Sequence, residues 1–289
     1  MQEGRASQTA VMVCLARALA HVEATVPGFS DPTALPLLPD EARARFERLR
    51  SPPQGAASGR ERMQRKFLEG RAHMMAIRTV AIDQAVRMTA APQVVILGAG
   101  LDGRAWRMPE LRDTVVFEVD HPDTQREKMA RAASLPPVAR DVRFVPVDFT
   151  RDRLDERLAA AGHDPARRTT WIWEGVVMYL TRAEVEATLQ VVADRSAAGS
   201  RLAIAYAAPG LILPLVRLIV RRIGEPFRSV FTARAMKTLL AAHHFAVVTD
   251  DDIPTLARPL STVAWRATRT LKHIRVVVAE LSRPAPPTD

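Results

Sequence analysis

Cysteine is nearly missing from this chain. Its 289 residues include one, Cys14, so neither an intramolecular disulfide nor a multi-cysteine zinc site can form. The simplest setting is a reducing, cytoplasmic one. Lysine is scarce as well. Of 41 basic residues against 32 acidic ones, only Lys66, Lys128, Lys237 and Lys272 are lysines, and the net charge of +9 is carried by arginine. No block of five like charges occurs, and no basic run is interleaved with aromatics, so a nucleic-acid partner is not expected. A modest attraction for anionic small substrates is. Long apolar runs are also lacking. Leu211–Val220 is too short to cross a bilayer and is broken by Arg217. Near the N-terminus, Glu3 and Arg17 interrupt what would otherwise resemble a secretory leader. No membrane partner is expected. His73, His163 and His273 stand isolated, without metal-ligand spacing, and no metal site is expected.

What is present is ordinary for a folded protein: 47% apolar and 25% charged residues, in one or at most two domains. The first fifty residues read as helices, Thr9–Val22 and Glu41–Arg50, around an irregular segment carrying Pro27, Pro32, Pro36 and Pro39. After a loop at 51–59, Arg60–Thr89 has no proline and reads as a long helix or two. From Gln93 the texture changes. Short apolar runs at Gln93–Leu97, Thr114–Val119, Val142–Val147, Thr170–Trp173 and Arg201–Tyr206 alternate with helical stretches at Arg104–Leu111, Thr124–Ala133, Leu154–Ala161 and Arg182–Ser196. Such alternation predicts βαβ units and a doubly wound α/β fold with a parallel sheet buried on both faces. Later come an apolar and basic stretch, Pro209–Arg222, a helix at Thr232–His243, and strands at Phe245–Val248 and Arg275–Ala279. We expect a helical lid segment over 1–59 and a core over 60–289, with a lid insertion at about 207–231.

The most informative stretch is Val94-Val95-Ile96-Leu97-Gly98-Ala99-Gly100-Leu101-Asp102-Gly103. A buried strand ends in a glycine turn that opens a helix, where a ligand can lie against bare backbone and face helix N-terminal amides. Twenty residues past Gly100, the next strand ends in Asp120. An acid there can accept hydrogen bonds from both ribose hydroxyls, or it can cap the helix that Pro122 opens. The third strand ends at Asp148 and Phe149. The acid can reach an adenine amino group and the ring can cover the base, or the two can form a strand-end turn over the core. Two nucleoside ligands fit: a dinucleotide, favoured by the literal GxGxxG of Gly98, Gly100 and Gly103, and S-adenosylmethionine, favoured by Arg78, a cation placed for a carboxylate. A short-chain dehydrogenase would have a Tyr-x-x-x-Lys pair, but Ala183 and Gly210 follow Tyr179 and Tyr206 at that spacing.

Together these residues resemble the leucine carboxyl methyltransferase-like family of class I S-adenosylmethionine-dependent methyltransferases. The similarity runs from Thr9 to Tyr206 and more loosely beyond. It rests on Leu97-Gly98-Ala99-Gly100-Leu101-Asp102 followed by Arg104, on Phe117-Glu118-Val119-Asp120-His121-Pro122 with Lys128 beyond, on Trp173-Glu174-Gly175-Val176-Val177-Met178-Tyr179-Leu180, and on Arg78-Thr79-Val80-Ala81-Ile82-Asp83. The resemblance implies a seven-stranded, mostly parallel, Rossmann-like sheet. It also implies that Arg78 pairs with the methionine carboxylate, that the Gly98-Ala99-Gly100 turn packs on the methionine moiety, and that Asp120 binds the ribose. His121 would lie at the adenosine edge, Asp148 and Phe149 would hold adenine, and Glu174 would sit by the methionine amino group. Tyr179 is a candidate for the methyl-transfer pocket. Two departures stand out: Ile96 where the family often has Asp or Asn, and Gly103 where it usually has Thr. The expected activity is O-methylation of a small carboxylate or phenol, in bacterial secondary metabolism, with S-adenosyl-L-methionine as cofactor and S-adenosylhomocysteine as product. An NAD(P)-dependent oxidoreductase is the alternative.

Overall fold

The computed structural model describes residues 7–24, 26–50, 58–149, 151–210 and 227–282. Seven strands form one sheet: β1 (Gln93–Leu97), β2 (Val115–Asp120), β3 (Asp141–Pro146), β4 (Thr169–Trp173), β5 (Arg201–Ala207), β6 (Phe245–Asp252) and β7 (Ile274–Leu281). Their order is β3-β2-β1-β4-β5-β7-β6. The first five pair in parallel, and β7 runs antiparallel to both β5 and β6. The helices described are α1 (Gln8–Val22), α2 (Ala34–Leu37), α3 (Asp40–Arg50), α4 (Gly59–Thr89), α5 (Arg104–Arg107), α6 (Pro122–Ala132), α7 (Leu154–Ala160), α8 (Arg182–Asp194), α9 (Ala233–Ala242), α10 (Ile253–Ala257) and α11 (Thr262–Thr268).

The apolar runs become strands because neighbouring side chains can be buried on opposite faces. In β1, Val94 and Ile96 join a core built with α1, α3, α4, α10 and α11. Val95 and Leu97 join the opposite core with α7, α8 and α9. Trp171 and Trp173 share that second core and are fully buried, as their spacing predicts, with the Trp171 indole N–H donating to Ser196 Oγ at 2.7 Å. Where a helix starts, a short polar side chain takes a free amide. Thr181 and Glu184 form a reciprocal capping box on α8, and Thr232, Asp252 and Ser261 cap α9, α10 and α11.

Three expectations need correction. Arg104–Leu111 is not one helix. Met108 adopts an extended conformation ahead of Pro109, so α5 stops at Arg107 and a 3-10 turn follows at Pro109–Leu111. The proline segment is not wholly irregular, because Ala34–Leu37 closes one helical turn. Helix α9 ends at Ala242, which leaves His243 as its C-cap and His244 beyond it in a left-handed conformation (φ +64°). The insertion expected at Pro209–Arg222 falls largely on 211–226, outside the described residues. Among the described residues no helix is long and apolar enough to cross a membrane.

Candidate functional site

The strand register brings three sequence motifs to one edge. Leu97 pairs with Val119 of β2 on one side and with Trp173 of β4 on the other. Gly98, Asp120 and Glu174 therefore all lie at the carboxyl end of the sheet, the first two just past the Leu97–Val119 pair and the last just past Trp173. Between β1 and β4 the strand order reverses, which is where open α/β sheets form their ligand crevice.

The glycine turn is shaped by its neighbours. Gly98 and Gly100 have φ of +68° and +49°, a region that disfavours any side chain. The amides of Gly98 and Ala99 donate to the Val119 carbonyl at 2.8 and 3.0 Å. A Cβ on Gly98 would come within 2.3 Å of Val176 Cγ2. Gly103 is different. Its φ is −108°, but a Cβ there would lie 1.8 Å from Thr33 Oγ1. Its glycine is required by the proline-segment residue that packs on it, and the third glycine of the literal GxGxxG needs no phosphate to explain it. That removes the feature that favoured a dinucleotide.

Asp120 does not cap α6. That role falls to His121, whose ring accepts the Asp123 N–H at 3.3 Å. The Asp120 carboxylate instead accepts the Gly100 N–H through Oδ2 and the His121 N–H, at 2.6 Å, through Oδ1. Burial pushes its pKa up, and the two amides pull against that shift. The next strand stops at Pro146, not at Asp148 and Phe149 as the sequence suggests; Asp148 follows it by two residues, with its carboxylate on the Arg151 guanidinium at 2.8 Å. Phe149 beside it is 57% exposed, an open apolar face at the rim.

Arg78 on α4 reaches Glu174. Its Nε lies 2.7 Å from Glu174 Oε1, and both side chains are nearly buried. The other Glu174 oxygen meets Arg104 Nη1 at 2.8 Å. Burial alone would raise the Glu174 pKa, but Arg78 and Arg104 outweigh it and hold the carboxyl down at about 2. Glu174 is thus a fixed anion at neutral pH.

From Arg104 the network continues. It pairs with Asp102 and, at 2.8 Å, with Asp83; Arg107 takes Asp83 at 2.7 Å; and Arg17 of α1 pairs with Asp31 at 3.4 Å and donates to the Leu101 carbonyl inside the glycine turn. Four arginines and four acids (Arg17, Arg78, Arg104, Arg107, Asp31, Asp83, Asp102, Glu174) so balance one another under the crevice. Arg78, Asp83, Asp102, Arg104 and Glu174 stand inside the motifs read from the sequence. Arg17, Asp31 and Arg107 were missed as members. The one signal for Arg17 was its position inside the apolar stretch of α1, which is a buried charge awaiting a partner. A second buried pair, Lys128 Nζ and Glu118 Oε2 at 2.6 Å, sits off-axis for a hydrogen bond, with the ammonium 5.2 Å from the Trp106 ring centre. Burial raises the Glu118 pKa to about 7 against the pull of Lys128.

Tyr179 lies in the 3-10 turn Val177–Tyr179 that follows Glu174, with its ring edge-on to Phe227 at 5.6 Å. The segment from Phe227 is tied to this turn: Arg228 N donates to Met178 O at 2.8 Å and Ser229 Oγ to Val177 O at 2.9 Å. Among the described residues, no group of three or more His, Cys, Asp or Glu side chains is arranged to hold a metal.

Comparison with known proteins gives a family and a fold. The family model described as leucine carboxyl methyltransferase matches residues 10–193. A protein of Frankia alni, named as a candidate S-adenosyl-L-methionine-dependent methyltransferase, is 38% identical over 208 residues, 71% of this chain and 70% of that protein. One of Mycolicibacterium gilvum with the same kind of name is 36% identical over 229 residues, 76% and 71% of the two chains. Among solved structures, the fold is similar to a DUF574 family protein of Streptomyces avermitilis (TM-score 0.64, 10% identity, 97% of this chain and 99% of that one). It is also similar to a candidate methyltransferase of Thermobifida fusca (TM-score 0.59, 14% identity, 98% and 97%).

Proposed function

The chain belongs to the leucine carboxyl methyltransferase family and is an S-adenosylmethionine-dependent methyltransferase, and from that premise we propose that it methylates an oxygen of a small-molecule carboxylate or phenol, within secondary metabolism. The observation that carries the site assignment is the Arg78–Glu174 pair at the crevice, next to a glycine turn whose Gly100 amide is held by Asp120.

These residues fit the cofactor. Its amino-acid end carries one carboxylate and one ammonium, and a guanidinium beside a fixed carboxylate complements both. Arg78 would take the carboxylate through its remaining N–H groups, and Glu174 would face the ammonium. Asp120 would accept the ribose hydroxyls, His121 would border the adenosine, and Asp148 with Phe149 would take the adenine, whose ring would cover the exposed phenyl face. When bound, the sulfonium supplies a methyl group as an electrophile and leaves as a neutral thioether.

The chain's own task is positioning. The Gly98-Ala99-Gly100 turn gives close backbone approach, and the buried arginine network fixes Arg78 and Glu174 in place. Glu174, held at a pKa of about 2, cannot serve as a proton acceptor at neutral pH. A carboxylate acceptor needs none, being ionised already. We assign residues 1–59 to a lid over this edge and 60–289 to the catalytic core. The packing of Ala10 against Gly100 and of Thr33 against Gly103 supports that division.

The test is calorimetric titration of the purified chain with S-adenosylhomocysteine and with NAD(P)H, then turnover with methyl-labelled cofactor against small acids, phenols and amines. Binding of the first ligand and label on acids or phenols is expected. Label on amines alone would overturn O-methylation, and preference for the nicotinamide would overturn the site assignment.

A further inference from the structure

An arginine beside a carboxylate favours closing on it with two parallel N–H bonds, because the planar fork matches the two oxygens. Arg78 and Glu174 do not pair in that way. Arg78 meets Glu174 Oε1 through Nε, at 2.7 Å. Glu174 Oε2, the oxygen a second bond would need, accepts Arg104 Nη1 at 2.8 Å. The two Nη groups of Arg78 stay off Glu174, and among the described residues neither has another acceptor. Arg104 is held so that it cannot leave that oxygen. Its Nε donates to Asp83 Oδ1 at 2.8 Å, its Nη1 is also paired with Asp102, and its main-chain N–H donates to Asp102 Oδ1 at 2.8 Å. Arg107 in turn grips Asp83 through both terminal nitrogens, at 2.7 and 3.0 Å. Asp83 stands on α4 with Arg78, Asp102 in the glycine turn and Glu174 just past β4, so one guanidinium ties together the elements that build the crevice. The Arg104 side chain is fully buried, and so is its remaining nitrogen, Nη2. It presents nothing to a ligand and acts only through the groups it holds.

We infer that Arg104 is a positioning residue that keeps Arg78 open: by occupying Glu174 Oε2 it blocks the two-bond closure of Arg78 on Glu174 and leaves the Arg78 Nη groups for the carboxylate of the cofactor. Without Arg104, Glu174 turns both oxygens to Arg78 and the pair neutralises itself. An incoming carboxylate must then break a bidentate ion pair before it binds. Separating such a pair away from water is costly, and a site that has to rearrange first binds more weakly than one already set. The loss falls on one end of the ligand, the carboxylate, and spares the adenosine and the thioether. A mere structural brace would weaken every part of the ligand alike. The role rests on the reading of Arg78 and Glu174 as the clamp for the amino-acid end of the cofactor, and it supplies what keeps that clamp unlocked.

The experiment titrates the full chain calorimetrically with S-adenosylhomocysteine, with its decarboxylated analogue (the same thioether and amine, no carboxylate) and with methylthioadenosine, which has neither group. The unaltered chain is expected to bind S-adenosylhomocysteine about tenfold or more tightly than the decarboxylated analogue, as a hydrogen bond to a charged group allows. Arg104→Gln is expected to shrink that ratio to about threefold or less, while methylthioadenosine keeps its affinity. Arg104→Lys, which reaches Glu174 but cannot hold Asp83 and Asp102 as well, is expected to give an intermediate ratio, and it carries the test where Arg104→Gln does not fold. An undiminished ratio in every folded variant, or a loss that falls on all three ligands alike, overturns the role of Arg104 while the cofactor site stands. If the unaltered chain does not distinguish S-adenosylhomocysteine from the decarboxylated analogue, the assignment of Arg78 is overturned. If it does not bind S-adenosylhomocysteine, the cofactor reading is overturned. The role of Arg104 goes with either.

Discussion

Both carboxylate oxygens of Asp120 accept main-chain amides, from Gly100 and His121, so the same side chain that would grip a ribose also holds the glycine turn in shape. Asp120→Ala is expected to lower S-adenosylhomocysteine affinity at least tenfold, in keeping with roughly 1–3 kcal/mol for a buried hydrogen-bonding group left without its partner. Calorimetry checks it, and unchanged affinity would make Asp120 a turn residue alone. Gly103 offers a sharper contrast. Gly103→Ala puts a methyl group on Thr33 Oγ1 and is expected to destabilise the fold by about 1–3 kcal/mol. Adding Thr33→Ala is expected to recover much of that loss, because the hydroxyl in the way is gone. Urea denaturation of the two single variants and the double variant measures the coupling. If the losses simply add, Thr33 is not what requires the glycine. The acids of the candidate site were legible because each sits where an apolar run ends. Arg17, Asp31 and Arg107 were not, because their pairing depends on the fold bringing residues 14 to 76 positions apart in sequence to one spot, and no local pattern encodes that.

Elements were more readable than contacts. Strands β1 and β4 fell within one residue of expectation because short apolar runs flanked by helices leave few alternatives. The strands of the C-terminal edge ran longer than expected. Strand β6 continues through Thr249-Asp250-Asp251-Asp252 after a bulge near Val247, and β7 runs from Ile274 to Leu281. Acids weaken the apolar signal of a strand, yet here Asp250 has partners: it accepts from the Tyr206 hydroxyl at 2.8 Å and from Arg275 at 2.9 Å, which ties β5, β6 and β7 together. The break in Arg104–Leu111 was missed because Pro109 can also open a helix. One element-level pair is open to test. Glu118 of β2 and Lys128 of α6 are both buried. Removing one partner, as in Glu118→Gln, is expected to cost about 3–5 kcal/mol, whereas the joint replacement Glu118→Leu with Lys128→Met is expected to be neutral or stabilising. Thermal unfolding of both decides it. A double variant as unstable as the single one would show that the charges are needed for more than each other.

For the whole molecule, two glutamates shift in opposite directions, and their signs differ accordingly. Glu174 is held near 2, below its ordinary 4.5. Its contribution to stability is in place above pH 4.5 and is lost as pH falls toward 2. Glu118 is raised from 4.5 to about 7, so its contribution is complete below pH 4.5 and declines as pH rises through 7. Stability measured by urea unfolding is therefore expected to fall on both the acid and the alkaline sides. Glu174→Gln should flatten the acid limb and Glu118→Gln the alkaline one, whatever either does to the absolute value. A variant that leaves its limb unchanged would remove that glutamate from the account. Finally, Arg17 on α1 holds the Leu101 carbonyl inside the glycine turn, and Asp31 answers it from the segment that follows α1. The opening helix therefore cannot be trimmed away as an accessory without leaving a bare guanidinium's partner and an open backbone oxygen behind. A shortened version starting at residue 60 is a different folding problem, and a fusion attached ahead of Gln8 has its junction within one helical turn of Ala10, the residue that touches Gly100.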